Sequence, residues 1–403
     1  MGTIQEHVLP LSVVGPSIWE GLPAAQQPHW SHHPDYMRVR QQLAIAPPLT
    51  TMEELDTLTD ELAAVAARDG CLLQAGDCAE NLSECTPADI AAKLNVLHAL
   101  GDRLADIQAC PVLRIGRIGG QFAKPRSQLV ERHHGRELPT FRGHMINSEL
   151  PTPTAREHDP GRMLCAYQAS AQVHSTLRIN RKERAATQSW GSGGWSSHEA
   201  LVIDYETSAV RTDLATGASY LSSAHLPWIG ERTRQPQSAH VQLLSSVCNP
   251  VGCKLGPTAR LEHVLELCAL LDPDRRPGRL VLIVRMGAQQ IRETLPPIVK
   301  AVRRAGHPVV WVSDPMHGNT VRSALGFKTR RMSDIITEAV AFRSILEHLN
   351  EHPAGLHLEV AVSEVTECVG GAVREEILPQ RYTTLCDPRL NPEQSAELLQ
   401  AWS

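Results

Sequence analysis

The sequence lacks any long apolar run, and no stretch approaches the roughly 20 residues that a helix needs to cross a bilayer. The N-terminus has no basic start followed by an apolar stretch and a small-residue cleavage site, so we expect no signal peptide. The ten cysteines include no CxxC pair. This spacing favours reduced, buried thiols over a disulfide framework. We therefore expect a cytoplasmic protein.

A strong charge of one sign is missing as well. The formal net charge is −5 at pH 7 and the sequence pI is near 6.4, which gives no general attraction to nucleic acid or to an anionic membrane. We expect neither as a partner. A Walker P-loop and a Rossmann fingerprint are both absent, which argues against nucleotide binding. The 403 residues are enough to bury a large core.

Eight short apolar runs are present, and each is followed by a residue able to bind a metal, a phosphate or a carboxylate. Runs of this length rich in Val, Ile and Leu are typical of strands buried on both faces. The runs are Cys71–Gly76, Val112–Gly116, Leu226–Gly230, Asn249–Cys253, Leu280–Val284, Val309–Ser313, Gly355–Leu358 and Thr383–Cys386. Helical periodicity lies between several of them. The alternation predicts an α/β fold, a (β/α)8 TIM barrel with its site at the C-terminal rim.

Two segments lie outside this alternation. Residues 1–50 are rich in proline and aromatics and predict an extended N-terminal arm, which we expect to pack over another subunit of a homo-oligomer. Residues 51–403 then form a single barrel domain. Roughly a hundred residues separate the second run from the third. Because long insertions in compact domains are usually functional, we expect residues 128–218 to form an insertion over the barrel mouth, between strands 2 and 3.

Four residues that follow the apolar runs could bind one metal ion. A barrel would bring their side chains together at one rim, and they are Cys78, His317, Glu359 and Asp387. A thiolate, an imidazole and two carboxylates form a mixed donor set that suits exchangeable Mn²⁺ or Co²⁺, with Fe²⁺ and Zn²⁺ as alternatives. Each residue alone is more often an ordinary packed or capping residue, and only their joint placement favours a metal site.

Cations form a second set at the same rim. It consists of Arg117, Lys124, Arg126, Arg232, Lys254 and Arg285. Arginine offers a planar fork for phosphate and carboxylate oxygens, and lysine a compact point charge. So many cations predict strongly anionic ligands, although salt bridges at loop ends are the competing interpretation. With a metal, they suggest a metal-assisted, aldol-type joining of two phosphorylated substrates. Glu231 could position a water or hold the adjacent Arg232.

Nine segments resemble the motifs of class II (plant-type) 3-deoxy-D-arabino-heptulosonate 7-phosphate (DAHP) synthases. The resemblance spans about residues 60 to 403, and its motifs are long and not generic. The segments are QAGDCAE (74–80), RIGRIGGQFAKPRS (114–127), WIGERTRQ (228–235), NPVGCKLGP (249–257), RMGAQ (285–289), SDPMHGNT (313–320), GLHLEV (355–360), VTECVGG (365–371) and CDPRLNPEQS (386–395). The short N-terminus and the AGLHLE and AWS segments look most similar to phenazine-pathway members of this family.

The resemblance implies a TIM barrel that condenses phosphoenolpyruvate with erythrose 4-phosphate and releases phosphate, the first step of the shikimate pathway. The family's metal ligands fall on the four residues named above. Its phosphoenolpyruvate contacts fall on Arg117, Glu231, Arg232, Lys254 and Arg285. Its aldose-phosphate contacts fall on Lys124, Arg126 and Ser127, with Glu199 as a further acid nearby. Lys254, Glu231 and His317 are expected to be catalytic, with Lys254 as a candidate for proton transfer.

One departure leaves the aldehyde open. The family usually carries an Arg-Gly-Asp…Asn turn, where this chain has Arg142-Gly143-His144 and Asn147. The exchange leaves open the exact aldehyde, or the affinity for it, and a turn-capping role of the family's Asp explains the position equally well. The alternative among enzymes is a related synthase that uses an altered aldehyde, such as an amino-substituted tetrose phosphate. A catalytically silent regulatory subunit with the same fold is the alternative from another class. Retention of all four metal ligands argues against it.

Overall fold

A computed structural model describes residues 18–133, 135–185, 190–191 and 193–403. Eight parallel strands form a closed barrel in which each strand pairs with its neighbours in chain order and the last closes on the first. They are β1 (Cys71–Gly76), β2 (Val112–Arg117), β3 (Trp195–Glu199), β4 (Leu226–Ile229), β5 (Val251–Leu255), β6 (Leu280–Val284), β7 (Val310–Ser313) and β8 (Pro353–Glu359). The predicted (β/α)8 TIM barrel is therefore confirmed.

Helices precede, connect and follow these strands. They are α1 (Tyr36–Ala44), α2 (Met52–Ala66), α3 (Pro87–Gln108), α4 (Pro153–Arg156), α5 (Arg162–Ala185), α6 (Ile203–Ser208), α7 (Ala239–Ser245), α8 (Leu261–Leu271), α9 (Ile291–Arg304), α10 (Met332–His348) and α11 (Pro392–Ala401). Short 3-10 helices span Leu82–Glu84 and Glu375–Arg381. Three hairpins pair Val130–His133 with Arg136–Pro139, Val210–Thr212 with Ser219–Leu221, and Thr320–Arg322 with Lys328–Arg330. Within the described ranges, no helix is long and apolar enough to cross a membrane.

Helix α2 closes one end of the barrel. Its side chains Leu58, Leu62 and Val65 are fully buried and pack in one cluster with side chains from the first residues of several strands. The helix begins at a capping box between Thr51 and Glu54, which satisfies amide groups that its first turn leaves unpaired. With the N-terminal end filled in this way, the carboxyl ends of the strands remain open for a site.

The third barrel strand lies where an insertion was predicted. Residues 128–218 are not one insertion, because Trp195–Glu199 within them pairs with β2 and β4. The strand escaped prediction because most of its side chains are polar, although all are buried. Hydrogen bonds compensate for this burial: Ser197 Oγ donates to the Gly116 carbonyl at 2.8 Å, and Ser196 Oγ lies 2.8 Å from His225 Nδ1. A long insertion does separate β2 from β3.

The predicted eighth strand is wrong. Residues Thr383–Cys386 lie in the connection between β8 and α11 and form no strand. Thr383 is exposed, and its backbone N–H donates to the Glu367 side chain at 3.1 Å instead of to a neighbouring strand. Gly355–Leu358, predicted as the seventh strand, lies in β8. This one strand therefore brings both Glu359 and the following connection, with Asp387, to the rim.

The N-terminal arm packs on the same chain. Residues 1–17 of the predicted arm lie outside the described residues, and the rest is not wholly extended because it contains α1. Trp30 is buried, and its indole N–H donates to Asp204 Oδ2 at 2.9 Å. The Tyr36 hydroxyl donates to Asp204 Oδ1 at 2.7 Å. Since Asp204 lies in α6, the arm is fixed to the connection that follows β3.

Candidate active site

A cavity of about 450 Å³ opens at the carboxyl ends of the strands. It is lined by Arg117, Gln121, Lys124, Pro125, Glu199, Trp228, Gly230, Glu231, Arg232, Lys254, Arg285, His317 and Asp387. Most of the residues predicted from the sequence are in this set. Two predicted ligands, Cys78 and Glu359, are buried next to it and contact its lining residues. Two predicted aldose-phosphate residues, Arg126 and Ser127, do not line it.

The four predicted metal ligands meet in one corner of this cavity. One donor atom each from Cys78, Glu359 and Asp387 lies within 4.8 Å of the other two. His317 Nε2 lies 2.9 Å from Glu359 Oε1. On its other side, His317 Nδ1 lies 2.8 Å from Asp314 Oδ2, and this contact orients the imidazole toward Glu359. We call the four residues the donor corner.

The ammonium group of Lys124 lies inside the donor corner. Its Nζ is 2.8 Å from Glu359 Oε1, 3.3 Å from Asp387 Oδ2 and 3.3 Å from His317 Nε2. One cation is thus in contact with three of the four donors. A thiol, an imidazole and two carboxylates in this arrangement fit a divalent metal.

Glu359 is the electrostatic centre of the donor corner. Its side chain is fully buried, and it accepts from Arg117 Nη2 at 3.0 Å and from Arg330 Nη1 at 2.8 Å. Burial alone would raise the pKa of this carboxyl, but His317, Lys124 and Arg330 together hold it well below its ordinary value. Arg330 was missed in the sequence because it ends a hairpin strand and follows no apolar run.

Arg117 is hydrogen-bonded to a series of buried polar side chains. Arg117 Nη1 lies 2.5 Å from His357 Nε2, His357 Nδ1 lies 2.6 Å from Gln74 Oε1, and Gln74 Nε2 donates to Ser197 Oγ at 2.9 Å. Burial and the nearby Lys254 hold the pKa of His357 well below its ordinary value, so the imidazole is neutral. It then accepts from Arg117 and donates to Gln74. Gln74 and His357 lie inside two of the family motifs, QAGDCAE and GLHLEV. These motifs were the signal in the sequence from which the two residues could have been found.

Lys254 lies close to the donor corner. Its Nζ donates to Asp314 Oδ2 at 2.9 Å and lies 5.6 Å from the centre of the Trp228 ring. Burial lowers the pKa of Lys254 to about 8, although Asp314 opposes the shift. A lysine with this pKa can exchange a proton near neutral pH, which the predicted role in proton transfer would require.

Two other cations have donors available to a ligand. Among the residues that the structure describes, no group hydrogen-bonds or pairs with the Arg232 guanidinium, which is exposed at the cavity. Arg285 donates through Nη2 to the His317 carbonyl, but its buried Nε has no partner within the described ranges. Because a buried donor without a partner is costly, Arg285 points to an anionic ligand, and the unpaired Arg232 guanidinium lines the same cavity.

Glu231 contacts a different arginine from the one that the sequence suggested. Its carboxylate lines the cavity, yet it holds Arg234 rather than Arg232, at 2.8 Å and 2.9 Å. It also accepts from the Gly256 N–H at 2.6 Å. The geometry gives Glu231 a supporting position, because it joins the connections that follow β4 and β5.

Of the three residues predicted to bind the aldose phosphate, only Lys124 lines the cavity. Ser127 is exposed, and Arg126 Nη1 donates to the Phe141 carbonyl at 2.8 Å. His144, the departure from the family turn, lies with Nε2 2.6 Å from Glu149 Oε2 and accepts from the Leu82 N–H at 3.2 Å. His144 therefore does not line the cavity, and its contacts favour the turn-stabilising interpretation of this position.

The fold and the cavity define a TIM-barrel protein whose rim combines a donor set for a metal with cations free to bind an anion. The chain belongs to the class-II DAHP synthetase family, whose model matches residues 14–192 and 180–401. This confirms the resemblance seen in the sequence motifs.

Curated relatives cover nearly the whole chain. A probable phospho-2-dehydro-3-deoxyheptonate aldolase of Pseudomonas fluorescens is 43% identical, over 94% of each chain. A phospho-2-dehydro-3-deoxyheptonate aldolase of Streptomyces coelicolor is 41% identical, also over 94% of each chain. A solved phospho-2-dehydro-3-deoxyheptonate aldolase of Francisella tularensis matches with a TM-score of 0.53 at 15% identity, over 91% of this chain and 96% of that one. That last similarity shows the fold alone.

Proposed function

We propose that this enzyme condenses phosphoenolpyruvate with erythrose 4-phosphate to give DAHP and inorganic phosphate. One observation carries the proposal: a donor corner for a divalent metal adjoins cations with unused donors in a single cavity. The names of the relatives, which are phospho-2-dehydro-3-deoxyheptonate aldolases, support the same reaction.

The charged groups divide between two anions. Arg232 and Arg285, with Lys254, would hold the phosphate and carboxylate of phosphoenolpyruvate, above a floor formed by Arg117 and Trp228. The turn at Lys124–Ser127, of which Lys124 and Pro125 line the cavity, would receive the phosphate of the aldose.

The donor corner would hold a divalent metal, with Mn²⁺ or Co²⁺ preferred and Fe²⁺ or Zn²⁺ as alternatives. When bound, the metal supplies a Lewis acid for the aldehyde oxygen. The cations hold C3 of the enol phosphate in position to attack the aldehyde carbon. Water then adds at C2, and the resulting hemiketal phosphate expels inorganic phosphate. Lys254 is placed to exchange a proton during these steps, because its pKa of about 8 lets it occur in both forms.

The same geometry argues against the two alternatives, an altered aldehyde substrate and a catalytically silent subunit. An altered aldehyde was inferred from His144, whose side chain pairs with Glu149 and does not line the cavity. A silent regulatory subunit is disfavoured because all four donors are brought together. The phenazine-type role, the cytoplasmic location and the homo-oligomeric assembly stay predictions.

The test is product identification by mass spectrometry. Purified enzyme with phosphoenolpyruvate is offered erythrose 4-phosphate or an amino-substituted tetrose phosphate in parallel reactions. We expect the seven-carbon product DAHP with the first aldehyde at a much higher rate. A product formed only from the amino aldehyde would favour the altered-aldehyde alternative, and no product from either would favour the silent subunit.

A further inference from the structure

The N-terminal arm touches the turn that carries the proposed aldose-phosphate residues. The side-chain oxygen Oε1 of Gln26 accepts a hydrogen bond from the backbone N–H of Arg126 at 2.8 Å. This contact joins residues 100 positions apart in the sequence. Arg126 lies between Lys124 and Ser127, so the bond acts at the centre of the turn. It fixes the orientation of the peptide that precedes Arg126.

Arg142 connects the same two segments. Its carbonyl accepts from the backbone N–H of Lys124 at 2.9 Å. Its guanidinium donates to the carbonyl of Gln27 at 3.1 Å and to the carbonyl of Gln26. Arg142 is buried, so these bonds are shielded from water. One arginine therefore holds the backbone of the turn and two successive carbonyls of the arm.

The backbone of Gln26 adopts a conformation that needs such support. Its φ is +63°, in the left-handed region, which costs free energy for any residue other than glycine. The hydrogen bonds from Arg126 and Arg142 hold Gln26 in this conformation, in which its side chain reaches the turn. A strained residue held by two partners is typical of a position that has a specific task.

The next residue anchors the arm on the opposite side. Gln27 Nε2 donates to the Leu201 carbonyl at 2.8 Å, and Gln27 Oε1 accepts from the Ile203 N–H at 3.0 Å. Both partners follow β3 directly, two and four residues after Glu199, which lines the cavity. The arm thus bridges the turn to a strand end of the barrel itself.

We propose that Gln26 is a positioning residue for the aldose-phosphate turn, an inference that rests on the proposed function. The turn is half-exposed to fully exposed at Pro125–Ser127, and without the arm its ordering would be a cost of binding the aldose phosphate. Because the bond to Gln26 orders the turn before the ligand binds, this cost does not fall on binding. Arg232, Lys254 and Arg285 lie on other strands and connections, so binding of phosphoenolpyruvate does not depend on this bond.

The test compares three variants of the full chain. Gln26→Met keeps the length of the side chain and removes the acceptor. Gln26→Glu keeps an acceptor for the Arg126 N–H. Gln41→Met makes the same exchange at an exposed position of α1 in the same arm. Steady-state KM is measured for each substrate, together with kcat and the thermal unfolding midpoint.

We expect Gln26→Met to raise the KM for erythrose 4-phosphate about three- to tenfold, the effect of one lost hydrogen bond. Its kcat and its KM for phosphoenolpyruvate should stay within about twofold of wild type on the same scale. Gln26→Glu should restore most of the affinity, and Gln41→Met should change nothing.

Three results would overturn the inference. The first is an unchanged KM for erythrose 4-phosphate in Gln26→Met. The second is an equal rise of both KM values with a lower unfolding midpoint, which would mean general destabilisation. The third is a Gln26→Glu variant as impaired as Gln26→Met. A wild-type enzyme that forms no DAHP contradicts the proposed function itself, and the inference falls with it, so the wild-type measurement separates the two failures.

Discussion

The two sides of the active-site cavity are built in different ways. In the donor corner, Glu359 is fully buried and contacts four cationic or imidazole groups. The turn at Lys124–Ser127 is held at its backbone by hydrogen bonds to Arg142 and to Gln26 of the arm. The metal side is thus fixed by side-chain charges that support one another, whereas the turn on the aldose side is fixed through its backbone.

The most severe way to break the donor corner is Glu359→Gln. It removes a metal ligand and leaves Arg330, Arg117 and Lys124 without their shared counter-charge. We expect activity to fall at least about a hundredfold and the free energy of unfolding to drop by about 3–5 kcal/mol, because buried cations lose their partner. Turnover and denaturant unfolding measure both effects.

The control for this variant is Glu364→Gln, an exposed glutamate in the connection that follows β8. It should behave as wild type in both measurements. Near-normal turnover of Glu359→Gln would contradict the assignment of the donor corner.

A second variant tests whether the Lys124 ammonium competes with a divalent metal for the donor corner. In Lys124→Met the ammonium no longer competes for Glu359 and Asp387, so divalent metal should bind about tenfold more tightly, since hydrogen bonds to charged groups contribute about 1.5–3 kcal/mol. Turnover should nevertheless fall, because the turn loses a cation. Competition with a fluorescent chelator measures the metal affinity independently of activity.

Lys328→Met is the matched comparison. Lys328 Nζ also contacts Asp387, at 3.2 Å, but its side chain is 35% exposed. Solvent screens such a pair, so the gain in metal affinity should be smaller than in Lys124→Met. Weaker metal binding in Lys124→Met than in wild type would show that Lys124 assists the metal instead of replacing it.

A milder test concerns the support of the connections that follow β6 and β7. The Glu338 carboxyl accepts from the Gly287 N–H at 2.8 Å and from Asn319 Nδ2 at 2.7 Å. Burial raises its pKa to about 8, whereas an unfolded glutamate titrates near about 4.3. Between these values the folded state binds more protons, so the Glu338 contribution to stability is lost as pH rises through this window.

Glu338→Gln stays neutral and escapes this loss. We therefore expect the unfolding midpoint of the variant, relative to wild type, to rise by a few degrees between about pH 5 and about pH 9. Glu347→Gln, on the exposed side of the same helix α10, should show no such trend. A difference between variant and wild type that is constant with pH would mean that Glu338 is ionised throughout.

Whether a site residue could be predicted from the sequence depended on its place relative to the barrel strands. Residues at or just beyond the ends of buried apolar strands, such as Glu359 and His317, were found because strand ends of a parallel barrel converge. Asp387 was also found, although the run before it is not a strand. Arg330 was missed because it lies on a hairpin, and hairpins carry no signal about which group they will face.

Two further failures have physical causes. Strand β3 is polar in sequence and buried only because its hydroxyl and imidazole groups find partners from distant segments, and sequence periodicity does not record such partners. The contact between Gln26 and Arg126 joins residues in an arm and an insertion. Neither has a regular pattern from which their approach could be inferred.

The most direct test of the central claim is phosphoenolpyruvate consumption with erythrose 4-phosphate before and after removal of metal. We predict that a chelator abolishes the activity and that added Mn²⁺ or Co²⁺ restores it, because the donor corner and the cations act in one cavity. Full activity of the chelated, metal-free enzyme would contradict this account.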